Sequence, residues 1–203
     1  MPPPARKPAH AIRVAIVVSR YNASVTDALC AGALRAAALH TDRSRQGVAC
    51  EVFDAAGAFE VVPIALAAAR QARFHAVVAL GCIIKGETIH DRVLADAVTQ
   101  GLVSVALATE KPVGLGVLTV NTPAQARARA GGSARDDYRG NKGAEAMRAV
   151  LHTLGTLGRV RSGRAASDEA TRAPRPLPDK AASGPRARVA HDRVRRAPAK
   201  ERA

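Results

Sequence analysis

HAVVALGCIIKGETIHD, residues 75 to 91, joins an apolar run to a dense polar one. The run AVVAL, Ala76 to Leu80, has the length and continuous hydrophobicity of a strand buried on both faces. It passes through a glycine and two isoleucines into Lys85, Glu87, Thr88 and His90. A buried core has no use for so much polar chemistry. A ligand site at the carboxyl end of a strand does.

Working outward, the chain alternates between strand and helix patterns. IRVAIVVS (12 to 19), VACEVFD (48 to 54), HAVVALGCI (75 to 83) and VGLGVLTV (113 to 120) read as four strands. Between them, helices are predicted from about Ser24 to His40, through IALAAARQ, and over 91 to 109. Ser24 is expected to cap the first of these, with Asp27 three residues on. Pro63 is expected in the first turn of the second. TDRSRQG (41 to 47) reads as a polar link. PAQARARA begins a further helix that Gly131 and Gly132 end, and a last helix covers about Lys142 to Leu157. Strands alternating with helices imply right-handed parallel βαβ units covered on both faces. The fold class is α/β: a flavodoxin-like, doubly wound α/β/α sandwich on a four-stranded parallel sheet.

Composition sets the outer limits. The 203 residues carry a net charge of +14, and 47% are apolar. Residues 159 to 203 hold 13 Lys+Arg against 5 Asp+Glu, with almost no large apolar side chains. Such a segment cannot offset an ordering cost of roughly 1–2 kcal/mol per residue. We expect a proline-rich, disordered lead-in over 1–11, one α/β domain over 12–158 and a disordered basic tail over 159–203. A solvated extension is favoured over a nucleic-acid-binding arm, because acids are interspersed and aromatic residues absent. Three cysteines without a C-x-x-C pair suggest neither a zinc site nor an oxidising compartment. The amino terminus has no apolar signal core, and no apolar run is long enough to span a membrane, so a cytoplasmic setting is expected.

Each strand end supplies chemistry. SRYN offers the ring of Tyr21 and the amide of Asn22, and GAFE offers Gly57 for a tight turn, Phe59 and Glu60. GCIIKGETIH follows the third strand, and TVNT follows the fourth, with Arg127 and Arg129 one short helix away. Taken singly, each has a plainer reading. Tyr21 and Phe59 are packing residues, Glu60 a helix-start acid, His90 a cap, and the arginines a solvated face. GLG (114 to 116) lies inside a strand and lacks the rest of a dinucleotide fingerprint. Joint placement at successive strand ends favours a site for a flat polar ring and a phosphorylated partner.

The ordered set SRYN, GAFE, GCIIKGETIHD, GVLTVNTPAQARARAG and GNKGAEA resembles the 6,7-dimethyl-8-ribityllumazine synthases, over about residues 12 to 157. The resemblance implies a transferase of riboflavin biosynthesis. It would condense 5-amino-6-(D-ribitylamino)uracil with 3,4-dihydroxy-2-butanone 4-phosphate, releasing phosphate and water without a metal or redox cofactor. It also implies Tyr21, Asn22, Ala58, Phe59, Glu60, Leu115 and backbone groups of Cys82, Ile83 and Ile84 on the pyrimidine side. Glu87, Thr88, Arg129 and Lys142 would meet the phosphate-bearing substrate, and His90 would be the acid/base. A homo-oligomer follows, a pentamer or a shell of pentamers, with the site shared between neighbours. The chain departs from the family pattern at Asp91 and Arg92 after His90, at Leu115, in GAFEVV with Pro63, and in an inserted SARDDYR. These departures bear on affinity rather than reaction type. Two other classes stay open: a non-catalytic scaffold whose basic tails bind nucleic acid, and a flavin- or lumazine-binding protein on the same fold.

Overall fold

The computed structural model describes residues 11–44 and 46–163. The expected lead-in and tail lie outside these, apart from Ala11 and residues 159–163. Four strands, β1 (Ile12–Ser19), β2 (Val48–Ala55), β3 (Ala76–Ile84) and β4 (Val113–Val120), form one parallel sheet in the order β2-β1-β3-β4. Helices α1 (Ala23–Ser44), α2 (Ala58–Arg70), α3 (His90–Thr109), α4 (Pro123–Ala130) and α5 (Lys142–Arg161) connect and cover it. Alternation in β1 sends Val14, Ile16 and Val18 to a core shared with α1, α4 and α5. Ala15 and Val17 face the opposite core, under α2 and α3. Each fully buried valine or isoleucine stabilises the sandwich by about 1.5–3 kcal/mol. The central strands β1 and β3 are therefore buried on both faces, as their uninterrupted apolar runs require, while the edge strands β2 and β4 keep exposed positions.

Several local expectations are corrected. Helix α1 starts at Ala23, so Ser24 lies inside it rather than capping it. The residue ahead is Asn22, at a left-handed φ of 63°, whose carbonyl accepts from the Val25 and Thr26 amides. The supposed link TDRSRQG is helical through Ser44. Thr41 and Ser44 donate their hydroxyls to the carbonyls of Ala37 and His40, so their polar groups are satisfied within the helix. Pro63 sits in the interior of α2, beyond the first turn. It has no N–H to bond the preceding turn, and the helix continues regardless. Helix α5 runs to Arg161, past the expected end at Leu157. Two cations in its last turn favour that end of the dipole, and Arg161 donates to the Glu110 carbonyl at 2.9 Å.

The stretch after α4 folds into a 3-10 turn, Ala134–Asp136, with Ser133 and Asp136 forming a capping box. Asp137 and Tyr138 follow with φ of 54° and 53°. Gly114, in the discounted GLG, makes room for α5: a Cβ there would lie 2.9 Å from the Ala146 carbonyl oxygen. No helix among the described residues is long and apolar enough to cross a membrane.

Candidate functional site

The carboxyl ends of β1 and β3 and the amino ends of α2 and α3 enclose a cleft of about 660 Å³. This lies within the ~300–1,000 Å³ usual for small-molecule sites. Its lining includes Tyr21, Asn22, Ala58, Phe59, Glu60, Cys82, Ile83, Ile84, Thr88 and His90, every one of them expected.

Local backbone chemistry puts each group there. The turn after β1 is tied to β2 by Arg20 N–H donating to the Ala55 carbonyl (2.7 Å) and Tyr21 N–H to that of Ala56 (3.2 Å). Asn22 then takes its left-handed conformation, which asparagine tolerates better than most residues. Its Nδ2 donates to the Cys82 carbonyl at 2.9 Å, across to β3. That bond occupies a backbone acceptor of Cys82 and leaves the Asn22 Oδ1 to accept from a ligand. Tyr21 and Phe59 are 71% and 60% exposed, so two aromatic faces stand open at the rim. Helix α2 opens after Gly57, which has no side chain to cap the first amides. Glu60, on that first turn, folds back over Gly57: a Cβ on the glycine would meet Glu60 Oε2 at 2.8 Å.

On the other wall, Lys85 N–H donates to the Val120 carbonyl at 2.8 Å and keeps the strand direction into the loop. Thr88 Oγ1 accepts from the His90 amide at 3.3 Å, at the start of α3. His90 is thereby the first helical residue, exposed at the mouth, with Asp91 and Leu94 behind it. Burial raises the Cys82 thiol above its ordinary range, so it contributes shape rather than a nucleophile.

Four expected residues stand apart. Glu87 is exposed and outside the lining. Leu115 pairs with Ala79, while Cys82 to Ile84 pair with Leu118 to Val120, so it sits about 10 Å down the sheet from the cleft floor. Arg129 projects from α4 in the opposite layer, its Nη1 donating to the Gln125 carbonyl at 3.3 Å. Lys142 pairs with Glu145 at 2.5 Å on α5. Conversely, Gly57, Gly86, Asp91 and Leu94 complete the lining. The i,i+4 spacing of His90 and Leu94 on α3 was the available signal for the last of these. Among the described residues the cleft of one chain thus presents two carboxylates and an imidazole, and no lysine or arginine.

Comparisons with known proteins bear on the family. A profile of the family described as 6,7-dimethyl-8-ribityllumazine synthase matches residues 11–157. A protein of that name from Corynebacterium kroppenstedtii is 46% identical over 149 residues, covering 73% of this chain and 87% of its own length. 6,7-Dimethyl-8-ribityllumazine synthase 1 of Caulobacter vibrioides is 45% identical over 150 residues (73% and 92%). The Thermus thermophilus synthase is 44% identical over 150 residues (73% and 90%). With a match across the folded part of the chain and a cleft where the strands end, the chain belongs to the 6,7-dimethyl-8-ribityllumazine synthase family.

Proposed function

We propose that this cleft condenses 5-amino-6-(D-ribitylamino)uracil with 3,4-dihydroxy-2-butanone 4-phosphate, giving 6,7-dimethyl-8-ribityllumazine, phosphate and water. One observation supports it above the others: two exposed rings, the Asn22 amide, Glu60 and His90 meet around one cavity, although they come from three separate strand ends. The pyrimidine lies between Tyr21 and Phe59. Its polar edge meets Asn22 Oδ1, the amides opening α2 and the Ile83–Ile84 backbone, and Glu60 holds the ribityl side. The first bond forms when the pyrimidine amine attacks the ketone carbon. His90 takes the proton the nitrogen sheds and returns it to the hydroxyl that leaves as water, forming the imine. Loss of the proton from the carbon beside the imine lets phosphate depart with the C–O electron pair as an anion. The enol left behind tautomerises to a ketone, and the ribitylamino nitrogen attacks that carbonyl to form the second C–N bond, expelling a second water.

A departing phosphate needs cations. Since the described lining has none, Arg129 and Lys142 are proposed to reach the cleft of a neighbouring copy, with Leu115 closing its pyrimidine side. Thr88 and Glu87 fix the loop against which the phosphate lies. The working unit is accordingly a homo-oligomer, a pentamer or a shell of them.

The test is direct. Purified protein mixed with both substrates should develop lumazine fluorescence and release one phosphate per product. A protein that binds lumazine but never forms it would contradict the proposal. His90→Asn should slow turnover by about a hundredfold without abolishing it, because holding two substrates together carries much of the rate.

A further inference from the structure

The turn that carries Tyr21 and Asn22 begins with a residue outside the cleft. Arg20 Nη1 donates to Asp27 Oδ1 at 2.7 Å, and Nη2 donates to Asp54 Oδ1 at 2.5 Å. Asp27 belongs to α1 and Asp54 is the penultimate residue of β2, before α2 begins. One planar guanidinium therefore spans two elements that flank the turn. The fork geometry suits this: two N–H vectors diverge from one rigid plane, which a lysine cannot reproduce.

The other anchors act elsewhere. Backbone bonds join the turn to β2, and the Asn22 amide joins it to β3. Among the side-chain contacts described, the Arg20 pair is what links α1 to the end of β2. Left-handed Asn22 sits between that link and the helix it starts, so slack there would turn both Tyr21 and Asn22.

We propose that Arg20 is a positioning residue for the pyrimidine substrate, holding Tyr21 and Asn22 in register by bridging Asp27 and Asp54. This rests on the reading that Tyr21 and Asn22 meet that substrate. Both ion pairs are exposed, and pairs of this kind contribute modestly, so the expected effect is a shift in binding rather than loss of the fold.

The experiment compares Tyr21→Ala, Arg20→Gln, Arg20→Lys and Asp54→Asn in steady-state assays, varying each substrate in turn and recording thermal unfolding alongside. For Arg20→Gln we expect the pyrimidine KM to rise about three- to tenfold with little change in kcat or in the butanone phosphate KM. Asp54→Asn should move the same constant. In Arg20→Gln/Asp54→Asn the two effects should fall short of multiplying, and Arg20→Lys should recover only part of the loss. Added salt should raise the pyrimidine KM of the native protein towards that of Arg20→Gln and leave the variant nearly unmoved. If Tyr21→Ala raises the pyrimidine KM but Arg20→Gln does not, the positioning role is overturned. If Tyr21→Ala also has no effect, the pyrimidine reading itself has failed. A fall in both KM-independent rate and melting temperature without a selective KM change would mark Arg20 as structural only, and overturn the proposal too.

Discussion

Gly57 shows how one missing methyl group can serve a site. Its φ of −138° is extended backbone open to any residue, so the tight turn expected there is not why it is glycine. The space above it is filled by the Glu60 carboxylate. Gly57→Ala should therefore fold with nearly native melting, since a flexible carboxylate can move aside. It should nevertheless raise the pyrimidine KM several-fold, because the carboxylate it displaces is the one turned towards the cleft. Measuring KM and melting on the same preparation checks both halves. The thiols show the opposite case, in which burial silences a reactive group. Cys50 is pushed up to about 11, mainly by burial and secondarily by neighbouring Cys30, whose own thiol is also raised by burial. A raised thiol keeps its proton below that value, leaving about one Cys50 in a thousand as thiolate at pH 8. Alkylation followed by mass spectrometry should find Cys50 slow at pH 8 and quick once the chain is denatured.

At the scale of elements, the junction of α1, α4 and α5 turns on Asn141. It is fully buried, donating Nδ2 to the carbonyls of Ala28 (3.0 Å) and Ala130 (2.6 Å) and accepting from the Ala144 amide at 3.0 Å. Gly32 leaves room for its amide, and Gly143 lets α5 lie against α1, where a Cβ would fall 2.0 Å from the Leu29 carbonyl oxygen. Backbone cannot swing aside as a side chain can. Gly143→Ala should cost about 2–3 kcal/mol and lower the melting temperature by roughly 5–10 °C, read by calorimetry. Nearby, amides from Ser133 and Tyr138 hold the Asp136 carboxyl below its ordinary range. A depressed carboxylate contributes stability above its unfolded pKa and loses it as pH falls through the folded value. Asp136→Asn should thus reduce stability at neutral pH and narrow its gap to the native protein as the pH falls below 3.8. These contacts mark the limit of what the sequence discloses. Four strands and their order of chemistry were legible because apolar runs and strand-end motifs are local signals. The bonds of Asn141 were not, since its partner at Ala28 is 113 residues away. The start of α1 was misread for a related reason: Ser24 looks like a cap in isolation, but Asn22 is held in place by β3, a distant strand.

For the whole molecule, the decisive feature is a surface that a single chain leaves uncovered. Ile89, Val93, Val103 and Leu107 fall within one stripe of α3 and its approach, between 55% and 75% exposed. The stripe begins beside His90, so whatever covers it stands next to the mouth of the cleft. Among the described residues that cleft has no lysine or arginine, while Arg129 and Lys142 lie elsewhere on the chain. The homo-oligomer proposed above would answer both at once, covering the apolar stripe and bringing Arg129 to a foreign cleft. If so, a defect in His90 and a defect in Arg129 damage different halves of a shared site. His90→Asn and Arg129→Ala proteins, each nearly inactive alone, should regain activity when co-refolded, because some mixed interfaces pair an intact His90 with an intact Arg129. The regained rate should scale with the fraction of such interfaces and disappear in Leu107→Glu, whose charge keeps the stripe from being covered and whose mass by light scattering should fall to that of a monomer. Co-refolded mixtures no more active than the sum of their parents would place all the required groups on one chain.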